Sequence, residues 1–139
     1  MLLGLCTVAR PEAPAESPQG EEAFIARFNH ISLDQGLSQG EIRSIAQDQR
    51  GFLWFGSARN GLNRFDGYEV RVYAHDPGNP RSLSRNFIRS SYVDRAGDLW
   101  IGTASGGLCR YGQNSDDFER FSKEPGNPQS LPHNSILGI

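Results

Sequence analysis

The sequence lacks several features that would point to a particular partner or compartment. Of its 139 residues only two are cysteine. Cys6 and Cys109 have no CxxC neighbour and no nearby histidine, which argues against a metal site. The formal net charge is −2 and basic residues do not cluster, so a nucleic-acid partner has no electrostatic basis. No apolar run is long enough to span a membrane.

The residues that usually carry catalysis are present but are not grouped. No Ser-His-Asp or Cys-His arrangement clusters or recurs along the chain. His30, His75 and His133 are far apart in the sequence and fall in predicted strands or loops. The sequence therefore predicts no catalytic residue, no cofactor and no metal site.

What the chain does contain is an internal repeat. Residues 42–65 and 88–111, offset by 46 positions, share 12 of 24 aligned residues. DPGNPRSL at 76–83 recurs as EPGNPQSL at 124–131, offset by 48 positions, so we place a two-residue insertion in the polar turn after Tyr111. A period in the forties with internal turns is typical of β-propeller blades. The 16 glycines and 8 prolines suit such an all-β fold.

Each repeat divides into four short predicted strands, at 42–47, 52–57, 62–65 and 68–73, and at 87–93, 98–103, 108–111 and 118–122. The predicted organisation places blade 1 at 42–86, blade 2 at 87–134 and the start of a third blade at 135–139. Blades bury their faces against neighbours, and propellers have about four to eight of them. We therefore expect an incomplete propeller, which is either part of a larger one or self-assembling through exposed blade edges.

The residues before the first blade differ in composition. Residues 1–22 combine a mildly apolar start with a Pro-, Ala- and Glu-rich stretch, which indicates a flexible leader or the remnant of an export signal. Residues 23–41 are interpreted as an N-terminal strand and a blade-entry segment. Within them, residues 28–33 are the candidate strand that would complete the last blade.

The best-defined motif is Asp-x-x-Gly-x-x-Trp with two later glycines, and it occurs in both repeats. We interpret it as structural: the aspartate caps a turn, the first glycine takes a left-handed conformation, and the tryptophan packs. The glycine that ends the second strand, Gly56 or Gly102, allows close approach. Its members are Asp48, Gly51, Trp54, Gly56 and Gly61 in the first repeat and Asp94, Gly97, Trp100, Gly102 and Gly107 in the second.

This motif, continued through Leu-Trp-(Phe/Ile)-Gly-(Ser/Thr) to Gly-Leu-x-Arg-(Phe/Tyr), resembles the two-component regulator propeller repeat. The resemblance covers residues 28–139. It implies a periplasmic sensor domain of a hybrid histidine kinase, or of a GGDEF-type diguanylate cyclase, whose phosphorelay or cyclase module lies outside this sequence. A cytoplasmic location applies if the N-terminus is not an export signal.

The function implied is ligand sensing without catalysis. The alternatives are a propeller scaffold for protein interaction and, more remotely, a lyase-type propeller enzyme, since streptogramin lyases resemble this family in fold. The expected partners are further propeller blades of the same or another chain and a small-molecule or glycan ligand.

In a four-stranded antiparallel blade, alternate connections lie at opposite ends. The longer connections share one end, and loops on a rigid scaffold are the usual home of binding residues. The candidate ligand or partner residues there are Arg59, Asn60, His75, Asp76, Arg81 and Arg85. The alternative is that the PGNP-x-Ser-Leu segment is a structural connector between blades, which its recurrence favours.

Overall fold

A computed structural model of the chain describes residues 36–37 and 41–139. They contain eight strands: β1 (Ile42–Gln47), β2 (Leu53–Ser57), β3 (Leu62–Phe65), β4 (Val70–Tyr73), β5 (Ile88–Val93), β6 (Leu99–Thr103), β7 (Leu108–Gly112) and β8 (Asp117–Phe121). β1–β4 and β5–β8 form two antiparallel four-stranded sheets in sequential order. The all-β prediction of two propeller blades is thereby confirmed. These same residues include no helix that is long and apolar enough to cross a membrane.

Strand boundaries differ from the predicted ones where an aspartate holds the backbone. Tyr68 was predicted to begin the fourth strand, but its backbone N–H and that of Glu69 both donate to the carboxylate of Asp66, at 2.9 Å each. These residues therefore complete the turn, and β4 begins at Val70. Likewise, the backbone N–H of Phe52 donates to the Asp48 carboxylate, so β2 begins one residue later than predicted.

The core lies between the two sheets and is shared by both repeats. Trp54, Leu62 and Ile88 are fully buried there, and the ring of Trp54 in blade 1 lies 4.7 Å from that of Tyr111 in blade 2. The remaining buried members are Tyr73, Leu83, Leu99, Ile101, Cys109 and Phe118. Because aromatic side chains of blade 1 pack directly against those of blade 2, we expect the two repeats to form one cooperative packing unit.

The aspartate motif has the predicted structural role. In blade 1 the carboxylate of Asp48 accepts hydrogen bonds from the backbone N–H of Arg50 and Phe52, and Gly51 has a φ of 88°. The same carboxylate also accepts a 3.0 Å hydrogen bond from the indole Nε1 of Trp54. This last contact was not predicted, and it couples the turn to the tryptophan that anchors the core.

Blade 2 repeats this geometry. Asp94 accepts hydrogen bonds from the backbone N–H of Ala96 and Asp98 and from the indole of Trp100, the last at 2.8 Å. The hydrogen bond from Trp100, helped by these N–H groups, holds the pKa of the Asp94 carboxyl below its usual value. Gly97 has a φ of 91°.

The predicted segments at the two ends of the sequence are a separate case. The leader at 1–22 and the candidate closing strand at 28–33 lie outside the described residues, as does most of the blade-entry segment. Residues 135–139 form no strand, although the backbone N–H of Ile136 donates to the carbonyl of Thr103. In blades 1 and 2 the first strand pairs with the second strand of its own blade, and the described residues include no such second strand beside residues 135–139.

Candidate functional site

Several connections meet at one end of the two sheets. In each sheet the second and third strands are joined there, by residues 58–61 in blade 1 and 104–107 in blade 2, and the 74–87 connector between blades begins and ends there. We call this the connector end. Backbone hydrogen bonds from Ala58 to Glu41 and from Gly61 to Asn86 tie these segments together, which gives the rigid platform that a binding site needs.

The structure brings only part of the predicted candidate set together. Arg59 is exposed, while the backbone N–H of Asn60 donates to the Ser57 hydroxyl inside the turn. His75 Nδ1 lies 2.7 Å from the carbonyl oxygen of Leu83, and its Nε2 lies 3.4 Å from a guanidinium nitrogen of Arg85. Among the described residues, His75 and Arg85 are the one pair of candidates with a side-chain contact to each other.

Asp76 and Arg81 belong to the connector's own architecture. The Asp76 carboxylate accepts a 2.8 Å hydrogen bond from the backbone N–H of Gly78. The Arg81 guanidinium pairs with the Asp117 carboxylate at the start of β8, and this hydrogen-bonded pairing lowers the pKa of Asp117. Arg81 is therefore directed toward the outer strand of blade 2.

A second arginine holds the connector between the blades in place. The guanidinium of Arg120, on β8, donates to the backbone carbonyls of Asn79, Ser82 and Leu83 and to the Ser82 hydroxyl, at 2.7–3.0 Å. Leu83 is fully buried in the core. These contacts support the structural interpretation of the PGNP-x-Ser-Leu segment, whereas the assignment of the six candidates to ligand binding stays a prediction.

A polar cluster between the blades is built by the insertion that distinguishes repeat 2. Asp116, in the β7–β8 turn, has a φ of 55° and accepts hydrogen bonds from the hydroxyls of Tyr73 at 2.7 Å and Tyr111 at 2.6 Å. Its carboxylate also pairs with Arg71 at 2.6 Å and lies 3.8 Å from Arg64. A blade 2 carboxylate thus joins three blade 1 side chains.

These contacts shift the titration of the cluster. Partial burial acts to raise the pKa of Asp116, but the two tyrosine hydrogen bonds and the two arginine charges outweigh it, and the pKa falls below its usual value of 3.8. Burial, together with the hydrogen bond to Asp116, raises the pKa of Tyr73. The cluster therefore stabilises the ionised carboxylate and the neutral phenol.

Asp116 should accordingly make the stability of the chain depend on acidity. Because its folded pKa is lowered, its contribution is present above pH 3.8 and is lost as pH falls through the lower, folded value. We expect the difference in unfolding free energy between the native chain and Asp116→Asn to shrink between about pH 5 and pH 2. Urea titrations at several pH values measure it. Tyr73→Phe, which removes one donor, should reduce this dependence only partly, and a difference independent of pH would contradict the assignment.

At the connector end, near the first strands, lies a recess that the sequence analysis missed. It encloses about 450 Å³ and is lined by Arg43, Phe87, Arg89 and Leu137. Arg43 and Arg89 are among the residues that the two repeats share, and this was the available signal. Both arginines fall inside predicted strands, and strand position alone does not indicate that their side chains line a recess. No group of three metal-ligating side chains occurs within the described ranges.

Comparisons with known proteins agree with this architecture. Residues 36–59 and 82–105 match the family model for the two component regulator propeller. A 56-residue stretch is 41% identical to Histidine kinase P4 of Formosa agariphila. The structure is similar to the extracellular domain of BT3049 from B. thetaiotaomicron, described as a hybrid two component system, with a TM-score of 0.70 and 34% identity over 77% of this chain. The extracellular domain of BT4673 from the same organism is similar with a TM-score of 0.58 and 28% identity over 73% of this chain.

These relatives are much longer than the compared region. The match covers 40% of this chain and 4% of the Formosa kinase, and 15% of each of the two crystallised domains. The similarity therefore concerns the propeller blades alone.

Proposed function

Because this chain carries repeats of the two-component regulator propeller family, we propose that it forms part of the ligand-sensing propeller of a bacterial signalling receptor. The observation that carries the proposal is the pair of repeats matching the family model in register, combined with the structural similarity to the extracellular domain of a hybrid two component system. In this role the chain binds and transmits, and an output module performs the catalysis.

The similarity favours a histidine kinase as the output, since the named relatives are a histidine kinase and hybrid two component systems. A diguanylate cyclase is the other output that the repeat motif allows. The extracellular origin of the crystallised domains supports a periplasmic location for this chain. Ligand binding would then shift the conformational equilibrium of the receptor toward the state that binds the ligand more tightly.

The architecture supports a binding role for the connector end rather than a broad protein-interaction scaffold. A scaffold would be expected to expose an extensive apolar surface there. Of the described residues at this end, the exposed or partly exposed loop side chains include Arg59, Asn60, His75 and Arg85, which are polar or charged. Further blades, in the same or another chain, remain the proposed partners of the open blade faces.

The test is the coding sequence on both sides of the codons for residues 1–139. We expect in-frame propeller repeats, an apolar segment able to span the membrane, and a histidine kinase module. A cyclase module in place of the kinase would retain the sensor role and overturn the kinase assignment. An open reading frame without any output module or membrane segment would contradict the receptor proposal as a whole.

A further inference from the structure

Two arginines occupy the same special backbone position in the two blades. β1 and β2 pair in regular register except between Ile42 and Ser44, and β5 and β6 show the same shift between Ile88 and Ser90. The residues left out of the ladder by these shifts are Arg43 and Arg89. A β-bulge bends its strand and re-aims a side chain, so both blades direct an arginine away from the sheet.

The two bulged arginines converge on one aromatic ring. The guanidinium carbons of Arg43 and Arg89 each lie 5.8 Å from the ring centroid of Phe87. Together with Leu137 these residues line the recess of about 450 Å³. β1 and β5 are adjacent edge strands of their sheets, so the recess lies where the first strands of successive blades meet.

The charge of this recess is not balanced by its own lining. The lining contains two arginines and no carboxylate. Arg43 contacts Glu41 at 3.1 Å, but both side chains are about half exposed or more, and such surface pairs contribute little. In the described part of the chain, Arg89 has no carboxylate partner. Two guanidinium groups held near one ring repel each other, and an anion between them would relieve this repulsion.

The chemistry of the lining indicates the class of anion. Guanidinium groups bind planar carboxylates through paired hydrogen bonds, while Phe87 and Leu137 offer apolar surface to the rest of a ligand. Ligand sites commonly combine such apolar walls with a few placed polar groups. We propose that Arg43 and Arg89 bind the carboxylate of a small organic molecule in this recess. The inference rests on the proposed sensing function and assigns a ligand class to it.

The test compares two probes that differ by one carboxylate. Titration of the 139-residue chain with glucuronate, by calorimetry or ligand-observed NMR, should show saturable binding, and glucose should bind at least about tenfold weaker. Inorganic sulfate should also bind about tenfold weaker, because it cannot use the apolar walls. Absence of saturable glucuronate binding, or equal binding of glucuronate with either glucose or sulfate, would overturn the proposal.

Variants locate the site. Arg43→Ala and Arg89→Ala should each weaken glucuronate binding by about tenfold or more, while their thermal transitions stay near that of the native chain, because neither side chain belongs to the core. The matched control is Arg95→Ala, which removes an exposed arginine from the β5–β6 turn at the opposite end and should change binding less than twofold. An equal loss in all three variants would indicate a non-specific charge effect and overturn the assignment.

The binding measurements do not depend on the coding sequence that flanks residues 1–139. The carboxylate site and the receptor proposal can therefore fail or hold independently of each other.

Discussion

Replacing Trp54 with alanine should cost about 3–5 kcal/mol of unfolding free energy, as expected for deleting a large buried aromatic side chain. Trp54 is fully buried, and its ring contacts those of Tyr73 and Tyr111 at 5.7 and 4.7 Å. The same change removes the indole hydrogen bond to Asp48. Since the contact with Tyr111 joins the two blades, the loss should affect both blades in a single transition. Urea unfolding followed by circular dichroism measures the cost.

The repeat supplies a matched control for this prediction. Trp100 makes the same indole hydrogen bond, to Asp94, but it is only partly buried and its ring packs against Phe121. Trp100→Ala should therefore cost at least about 1 kcal/mol less, because less apolar surface is buried at this position. If alanine at position 54 prevents folding, the Trp54→Phe and Trp100→Phe pair provides the same comparison. Equal costs at the two positions would show that Trp54 does not hold the blades together.

Substituting Gly61 with alanine should be nearly as damaging. Gly61 has a φ of 82°, and an added Cβ would lie against the carbonyl oxygen of Tyr73, far inside van der Waals contact. Left-handed backbone alone costs a non-glycine residue about 1–2 kcal/mol, and here the clash with rigid backbone adds to it. We expect a loss of about 3 kcal/mol or more, measured as a lowered urea midpoint and melting temperature.

Gly67→Ala separates the two contributions. Gly67 also has a positive φ, of 105°, but an added Cβ would meet nothing within 4 Å, so only the conformational cost of about 1–2 kcal/mol applies. Gly107, at the repeat position of Gly61, faces the Phe121 carbonyl in the same way, and its substitution should match that of Gly61. Similar costs for Gly61→Ala and Gly67→Ala would mean that the backbone around Gly61 and Tyr73 relaxes to relieve the clash, which would contradict the prediction.

The turns and strands within each blade could be predicted from the sequence. Asp48, Gly51 and Trp54 belong to a turn whose capping, left-handed backbone and buried anchor follow from residue type and spacing alone. The repeat of 46 residues then required a second, similar blade. For these reasons the strand order and the ends at which the connections lie could be predicted without coordinates.

Contacts between blades could not be predicted in this way. Arg81 sits in a polar loop, and only the packing of the connector against β8 pairs it with Asp117. Asp116 lies in an insertion without a counterpart in blade 1, yet it receives hydrogen bonds from Tyr73 and Tyr111. The Arg81–Asp117 and Tyr73–Asp116 pairings each join residues of different repeats that are more than 35 positions apart. No local sequence pattern indicates which side chains such packing brings together.

The sequence by itself determined the blade, because its turns and its buried tryptophan depend on residues at most a few positions apart. The recess lined by Arg43, Phe87, Arg89 and Leu137 is formed only by the tertiary structure. Arg43 and Arg89 look like ordinary strand residues, and it is the bulge in each first strand that releases them from the ladder. The packing of the two blades then places both arginines beside Phe87. Their position around one ring depends on how two separate sheets pack, and the order of residues within either sheet does not determine it.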